Sequence, residues 1–277
     1  MSRALGIVVL VAAVTLAGSA CAHKAQKKNP KSTTEVVTAE EALRRSQDAM
    51  ARHELRKAKS ILEKVQFTTA ERPVFEPLVR LAMADATYYL GDDLSLIEAR
   101  SKYLDFVTLY GDHPKAPYAQ FQTGMSSVKQ ILSVTRDQAQ TQVAIDDFTE
   151  IEKRWPTSPF GRAARQFVAK GKDALAEHEF IVGTFYRKRK IYEAAVDRYR
   201  AMLETYPTYR NKDKIFYWLG WTLLRQRNDA QARVYLDEVD TNYPRSKYAP
   251  MARKLLAESA KKDAATLEKR GAKKEAS

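Results

Sequence analysis

Apolar side chains recur at helical spacing through the last third of the chain. One stripe runs from position 191 to position 206, in steps that are mostly three or four residues: Ile191, Ala194, Ala195, Tyr199, Met202, Leu203 and Tyr206. A second stripe repeats it further along the chain: Ala232, Tyr235, Leu236, Val239 and Tyr243. Because an α-helix has 3.6 residues per turn, positions spaced in this way share one face. Each stripe therefore predicts an amphipathic helix whose core side is formed by these residues.

The two stripes belong to a sequence repeat with a spacing of 37 residues. The repeated positions align without gaps: Gly183, Ala195 and Pro207 in the first copy, and Gly220, Ala232 and Pro244 in the second. This order of residues is typical of the tetratricopeptide repeat, which is a pair of helices. A glycine lies among bulky residues, an alanine and an aromatic or aliphatic residue follow, and a proline comes last. We expect the glycine and the alanine to let the paired helices approach closely. The proline should end each pair, since proline cannot continue a helix.

Looser copies of the pattern precede these two. Four positions lie 51 residues before their counterparts in the repeat that contains Ala195: Ala144, Phe148, Ile151 and Pro156. The extra residues require either a long connection near Ser133–Thr141 or extended helices. Segments around Ala99 and Ala58 supply the second helices of two more pairs. The sequence therefore predicts an all-α fold, a tetratricopeptide-repeat solenoid of about five helix pairs.

Two further features predict how the pairs connect. The residues from Gly161 to Lys190 contain no proline and predict one unusually long helix that joins two halves, 35–157 and 158–256. In three junctions an aromatic residue precedes a proline and a hydroxyl residue follows: Trp155-Pro156-Thr157-Ser158, Tyr206-Pro207-Thr208 and Tyr243-Pro244-Arg245-Ser246. We expect the aromatic side chain to pack under the turn and the later Ser or Thr to cap the next helix.

Residues 1–20 have the pattern of a secretory signal peptide, with Arg3, then an apolar run, then small residues. The apolar run is about 14 residues, shorter than the roughly 20 that span a bilayer as a helix. Cys21, the only cysteine, follows directly. Gly18-Ser19-Ala20-Cys21 resembles the lipobox of bacterial lipoproteins, except that glycine stands where leucine is usual. We expect Cys21 to carry lipid. The alternative is an ordinary cleavage site with a cysteine nearby by chance.

The net charge of +13 is concentrated at the two ends of the chain. Residues 1–31 carry +5 and residues 253–277 carry +4, so a net charge of +4 remains for the residues between. We expect residues 21–34 to form a flexible basic tether, either lying against anionic head groups or serving only as a soluble linker. Residues 257–277 predict a basic tail, frayed or disordered. Basic chains often bind nucleic acid, but this distribution and the export signal argue against a nucleic-acid partner.

The sequence contains no recognisable catalytic or metal site. It has no phosphate-binding glycine loop and no Gly-x-Ser-x-Gly motif. The four histidines are scattered, and we expect His178 to be a packing or solvent-exposed residue. Asp146 and Asp147 are adjacent, so on a helix they point in different directions and cannot form an acid–base pair. We therefore predict a protein that is not an enzyme and that binds no cofactor and no metal.

The repeats from residue 177 onward resemble those of the BamD family. The resemblance rests on four segments and extends over roughly residues 20–250: Glu177-His178-Glu179-Phe180, Phe185-Tyr186-Arg187-Lys188-Arg189, Tyr192 to Tyr199, and Leu203-Glu204-Thr205-Tyr206-Pro207. Members of that family are tetratricopeptide lipoproteins of the machine that assembles β-barrels in the outer membrane. The resemblance implies a palmitate-bearing anchor at Cys21 in the outer membrane, with the protein facing the periplasm. Ala22, where Asp would signal retention in the inner membrane, agrees with this location.

The resemblance also implies partners. The C-terminal repeats would bind a POTRA domain of the barrel-forming subunit, and Arg198 occupies the family position implicated in that contact. The N-terminal repeats would receive a signal strand of unfolded outer-membrane proteins, and other lipoproteins of the machine would bind as well. Without such a role Arg198 is a solvated helix charge. The alternative function is that of another periplasmic tetratricopeptide adaptor, such as the factor that links cell-wall synthesis to the Tol-Pal system. An enzyme with a helical fold would lack any candidate site.

Overall fold

Residues 38–275, which the computed structural model describes, form eleven α-helices and no β-strand. The helices are α1 (Ala39–Ala51), α2 (Leu55–Leu62), α3 (Arg72–Leu90), α4 (Asp93–Leu109), α5 (Ala116–Val128), α6 (Ala139–Arg154), α7 (Pro159–Lys188), α8 (Tyr192–Thr205), α9 (Lys212–Arg225), α10 (Asp229–Asn242) and α11 (Ala249–Glu275). All of them belong to one compact unit, Val36–Ser277. Ten helices make five successive pairs and α11 follows the last, so the predicted all-α solenoid is confirmed.

Each helix packs against the helices that precede and follow it in the sequence. The buried side chains form a series of clusters, each shared by three or four consecutive helices. In one cluster Tyr103 and Phe106 of α4 pack with Leu81 of α3 and Ala119 of α5. The next cluster is built in the same way from α5, α6 and α7, and the one after it from α7, α8 and α9 with Ala232 of α10. Because neighbouring clusters share a helix, the core is continuous along the array, as in other stacked repeats.

The long helix that the sequence predicts is α7, with 30 residues. Ser158 caps its first turn by accepting a hydrogen bond of 2.9 Å from the N–H of Gly161. The first half of α7 packs with α5 and α6 through Ala164, and the second half packs with α8 and α9 through Phe180. One helix therefore contributes to the cores of both the N-terminal and the C-terminal repeats.

The length of α7 also explains the spacing of 51 residues in the middle of the chain. It has 30 residues where α9, its counterpart in the next pair, has 14. The long connection, the other explanation considered, exists as well, at residues 129–138 between α5 and α6. That connection precedes Ala144, so it does not contribute to the 51 residues between Ala144 and Ala195. His178 of α7 holds the connection by donating from Nδ1 to the carbonyl oxygen of Val134, at 2.7 Å.

Four junctions between helix pairs have the same turn. An aromatic residue ends the helix, and its carbonyl oxygen accepts a hydrogen bond of 2.8 to 3.1 Å from the N–H three residues later. These aromatic residues are Tyr110, Trp155, Tyr206 and Tyr243. The sequence pattern indicates three of the four, because glycine rather than proline follows Tyr110.

The hydroxyl caps predicted after these turns are correct in one junction of three. Ser158 caps α7, but α9 begins after Asn211 without a side-chain cap, so Thr208 does not cap it. The helix starts four residues after Thr208, beyond the reach of its hydroxyl. Ser246 accepts a hydrogen bond of 3.0 Å from the N–H of Tyr248, just before α11, and donates one of 2.5 Å to Asp213 of α9. Its hydroxyl therefore joins the start of the fifth pair to the turn that follows it.

The C-terminal segment is more regular than the frayed or disordered basic tail predicted for residues 257–277. The α11 helix continues to Glu275. Its start is held in the core by Ala249 and Ala252, which are fully buried. The residues that follow are mostly alanine, lysine and glutamate, which favour helix, and no proline interrupts them. From residue 260 to residue 266 the side chains that the structure describes are exposed, so α11 leaves the core without ending.

Two glycines of the C-terminal repeats stand where paired helices touch. A Cβ atom at Gly183 would lie 2.6 Å from the ring of Tyr199, and one at Gly220 would lie 2.7 Å from the side chain of Leu236. The second would also lie 3.1 Å from the carbonyl oxygen of Ala232. Because packed interiors have few gaps, any side chain at these positions would push the paired helices apart.

Replacing Gly220 with leucine should destabilise the fifth helix pair, because the added side chain overfills the contact with Leu236 and Ala232. Overpacking of a core costs about 1–3 kcal/mol, so we expect the midpoint of thermal unfolding, followed by circular dichroism, to fall by several degrees. Ala201→Leu places the same side chain at an exposed position of α8 and should change the midpoint little. An unaltered midpoint for Gly220→Leu would contradict this helix register.

Candidate protein-binding surfaces

Arg198 lies on the outward face of α8. Its side chain is 48% exposed, and its Nη1 donates to Oε2 of Glu179 in α7 at 3.2 Å. Tyr199 and Met202, on the other side of the same helix, are buried. A guanidinium carries five N–H donors, and the contact with Glu179 engages only Nη1. Arg198 therefore presents donors to solvent from a helix that is fixed in the core.

Polar contacts connect α7 to the residues at the start of α9. Glu177 accepts a hydrogen bond of 2.7 Å from Nζ of Lys214 and another from the hydroxyl of Tyr209. Asp173 accepts a hydrogen bond of 2.7 Å from Nε of Arg210. Desolvation acts to raise the pKa of Glu177, but the hydrogen bonds from Lys214 and Tyr209 outweigh it and the pKa is lowered. The carboxylate is thus ionised at neutral pH and ties the fourth pair to the fifth.

Arginine–tryptophan stacking connects the other ends of α7 and α9. The guanidinium carbon of Arg187 lies 3.7 Å from the centre of the Trp218 ring and 5.4 Å from that of Trp221. The guanidinium carbon of Arg225 lies 4.6 Å from the centre of the same Trp221 ring. Cations are attracted to the negative face of an indole ring. Two arginines therefore share one tryptophan where α7 and α9 end.

A largely buried carboxyl group joins three helices of the N-terminal repeats. Oδ1 of Asp85 in α3 accepts hydrogen bonds from the hydroxyls of Tyr103 in α4, at 2.6 Å, and Tyr118 in α5, at 2.8 Å. Burial raises the pKa of Asp85, although both hydroxyl donors favour its ionised form. Burial and the neighbouring carboxylate also raise the pKa of each tyrosine. The three groups satisfy one another, so the cluster positions helices.

Asp146 and Asp147 point to different sides of α6, as adjacent helical residues must. Asp146 is exposed, whereas Asp147 is buried and accepts hydrogen bonds from Nε and Nη2 of Arg100 in α4, at 3.1 and 2.8 Å. The hydroxyl of Ser127 in α5 donates to it as well, at 3.3 Å. Sequence reasoning missed this network because its members are far apart along the chain. The available signal was an acidic residue beside Phe148 on a core stripe.

An open groove lies beside this ion pair. It has a volume of about 420 Å³ and is formed by α4, the connection after α5, and the start of α6. Its apolar wall comes from Ile97, Leu104 and Val143, and its polar rim from Arg100, Gln130 and Gln140. Next to it on α4, the side chain of Leu94 is 79% exposed and that of Ile97 is 56% exposed. Clustered exposed apolar side chains are typical of surfaces that bind a partner.

Several predicted features concern residues that the structure does not describe. Cys21 lies outside residues 38–275, and so do the signal peptide at 1–20 and the tether at 21–34. Within residues 38–275, no group of three His, Cys, Asp or Glu side chains is arranged to hold a metal ion. Among the described helices, none combines the length and apolar character that crossing a bilayer requires.

The stacked helix pairs define a protein of the tetratricopeptide-repeat class. The model of that repeat matches residues 215–246, which contain most of α9 and all of α10. A second family model, that of the outer-membrane lipoprotein family YfiO, matches residues 36–217. This match covers about two thirds of the chain, and the chain therefore belongs to that family.

Relatives of the chain share the name outer membrane protein assembly factor BamD. The protein from Caulobacter vibrioides is 26% identical over 269 residues, which cover 97% of this chain and 87% of the relative. The protein from Neisseria gonorrhoeae is 23% identical over 253 residues, covering 87% and 92%. Among solved structures, the TPR2AB domain of yeast Sti1 in its pHSP90 complex is 15% identical, with a TM-score of 0.42 over 83% of this chain and 87% of that one. The resemblance to the BamD family is thus confirmed, and it rests on sequence.

Replacing Asp147 with alanine should cost about 3 kcal/mol of unfolding free energy, because it leaves Arg100 without its partner in a partly buried position. Asp146→Ala removes the same charge one residue earlier, at an exposed position, and should change stability by less than about 0.5 kcal/mol. Urea unfolding of both variants measures the difference. Equal stabilities would show that the Arg100–Asp147 contact does not hold α4, α5 and α6 together.

Proposed function

We propose that this chain is a non-catalytic scaffold for the assembly of β-barrel proteins into the outer membrane. The observation that carries the proposal is the family match over residues 36–217, together with the name that its relatives share, outer membrane protein assembly factor BamD. The stacked helix pairs support it, because such arrays present long surfaces to which other proteins bind.

The C-terminal repeats are proposed to bind a POTRA domain of the barrel-forming subunit, with Arg198 in the contact. Arg198 is exposed and engages Glu179 only through Nη1. A partner carboxylate could therefore take a two-donor contact from the rest of the guanidinium, which the single ammonium of lysine cannot supply. The pair with Glu179 is solvent-exposed and thus weak, so it would compete little with the partner.

The N-terminal repeats are proposed to receive a signal strand of unfolded outer-membrane proteins. The groove beside α4 supports this, because its apolar wall and polar rim suit an extended segment with alternating side chains. The exposed side chains of Leu94 and Ile97 extend the apolar surface beyond the groove.

Anchoring is proposed to occur through lipid on Cys21. The signal peptide at 1–20 and the basic tether at 21–34 support an exported chain held at the outer membrane and facing the periplasm. The partners proposed for it are the barrel-forming subunit, other lipoproteins of the assembly complex and unfolded outer-membrane proteins. Neither a cofactor nor nucleic acid is part of the proposal.

Reversing the charge of Arg198 tests the POTRA contact. Arg198→Glu places a carboxylate opposite the proposed partner carboxylate, so Kd for the purified barrel subunit should rise about tenfold or more. Binding is measured by surface plasmon resonance, and circular dichroism should show unchanged helicity because the side chain is exposed. Lys153→Glu, an exposed cation on α6, is the matched control and should leave Kd within about twofold. Unchanged binding by Arg198→Glu would remove Arg198 from the site.

A mild-detergent pull-down from native membranes that lacked any POTRA-bearing barrel protein would contradict the assembly function.

Metabolic labelling with palmitate tests the anchor. The wild-type chain should incorporate label and fractionate with the outer membrane, whereas Cys21→Ser should lose both properties, because a hydroxyl does not accept the thioether-linked diacylglyceryl group. An unlabelled wild-type chain would favour the alternative, a periplasmic adaptor such as one that coordinates Tol-Pal and cell division.

A further inference from the structure

The turn between α7 and α8 and the turn between α9 and α10 occupy equivalent places in the repeat. Lys188 ends α7 and is followed in the first turn by Arg189 and Lys190. Arg225 ends α9 and is followed in the second turn by Arg227. The stacking of Arg187 and Arg225 on the same tryptophan brings the ends of α7 and α9 side by side. These five cations are called the basic edge: Lys188, Arg189, Lys190, Arg225 and Arg227.

Arg225 shares a cavity with the acidic residues Asp229 and Glu258, but the cations of the basic edge have no direct ion-pair partner in the described part of the chain. All five side chains are exposed, and within residues 38–275 none of them forms an ion pair with a carboxylate. The acidic residues that follow the two turns, Glu193 and Asp229, lie in the first turns of α8 and α10, where they face the positive ends of those helices. Other cations of the C-terminal repeats, such as Arg210 and Lys214, are paired.

Two of these cations occupy a backbone conformation that favours glycine. The φ angles are 62° at Lys190 and 60° at Arg227, in the left-handed region. Gly91 takes the same position in the turn between α3 and α4, with φ of 79°. A side chain in this region is strained, so glycine would serve the turn better. The cations at helix ends, Lys188 and Arg225, also stabilise the helix dipole, but that effect does not account for a lysine and an arginine held in strain. His53 has the same conformation in the turn between α1 and α2, with φ of 59°, so the conformation belongs to the turn, and what distinguishes the two later turns is that a cation occupies the position.

Exposed apolar side chains flank the cations. Phe185 is 50% exposed and Ile191 is 48% exposed. The guanidinium carbon of Arg189 lies 4.5 Å from the centre of the Phe185 ring, so the cation and the ring form one surface. Cations around exposed aromatic and aliphatic side chains are the combination found on surfaces that rest in a lipid interface, where head groups take the charge and acyl chains take the apolar groups.

We propose that the basic edge binds the anionic phospholipid surface of the membrane at which this protein is anchored. Membership of an outer-membrane lipoprotein family brings such a surface within reach of the chain. A lipid surface can be met by flexible cations on two turns without a shaped pocket, and each lysine or arginine near it strengthens binding about fivefold. The edge would hold the C-terminal repeats against the membrane in addition to the anchor proposed at Cys21. This inference rests on the family and not on the POTRA contact.

Co-sedimentation with vesicles tests the proposal. The protein is the chain from residue 22, which retains the whole compact unit and carries no acyl chain. It should bind vesicles of phosphatidylethanolamine with 30% phosphatidylglycerol and should bind vesicles of phosphatidylcholine much less. Lys190→Gly with Arg227→Gly should weaken the partition onto the anionic vesicles about twenty- to thirtyfold, since two cations are lost. Because glycine relieves the left-handed strain, the same variant should unfold at an equal or higher temperature than the wild type. A lower unfolding temperature would overturn the argument from strain.

Matched variants separate the edge from the total charge. Lys64→Gln with Lys172→Gln removes two exposed cations from other parts of the structure and should weaken the partition less than threefold. Phe185→Ser should weaken it severalfold, whereas Val234→Ser, an exposed apolar residue of α10, should not. Equal losses for the edge variant and the lysine control, or equal binding to anionic and neutral vesicles, would overturn the proposal. Full vesicle binding by the edge variant, with loss of a protein from the native-membrane pull-down, would assign the edge to an acidic protein instead.

Discussion

The close contact between a glycine of one helix and a bulky side chain of its partner sets the spacing on which the array depends. It occurs in three successive pairs, between Gly124 and Phe148, between Gly183 and Tyr199, and between Gly220 and Leu236. At each glycine a Cβ atom would come within 3 Å of the facing side chain. Because the distance within a pair is fixed in this way, the same faces remain available for the next pair, and the core continues from one cluster to the next.

The parts of the fold that sequence predicts are those whose signals are local. Glycine, alanine, aromatic residue and proline recur at fixed intervals from Gly183 to Pro244, so helix pairs and their order follow from spacing. Thr208 does not cap α9, because the position of a helix start depends on packing that the repeat pattern does not specify. The network of Arg100, Ser127 and Asp147 was not predictable either, since three helices must be assembled before its members meet.

The residues between the two basic ends of the chain have a net charge near zero, but their charges are not evenly distributed over the folded structure. Two acidic residues, Asp147 and the partly exposed Glu177, fix neighbouring pairs to one another through ion pairs. Cations are left over at the turns that end α7 and α9. The same chain therefore combines ion pairs between its helix pairs with an edge that retains a net positive field. Sequence analysis located the excess only at the two ends, because pairing is a property of the folded chain.

The length of α7 has a mechanical consequence. Thirty residues at a rise of about 1.5 Å each make a rod of about 45 Å. Its glycines do not loosen it, because Gly171 is packed against Ile145 and Gly183 against Tyr199. A force on the N-terminal repeats is therefore transmitted to the C-terminal repeats as a tilt of α7 as a rigid body, because no hinge separates the two halves of the helix.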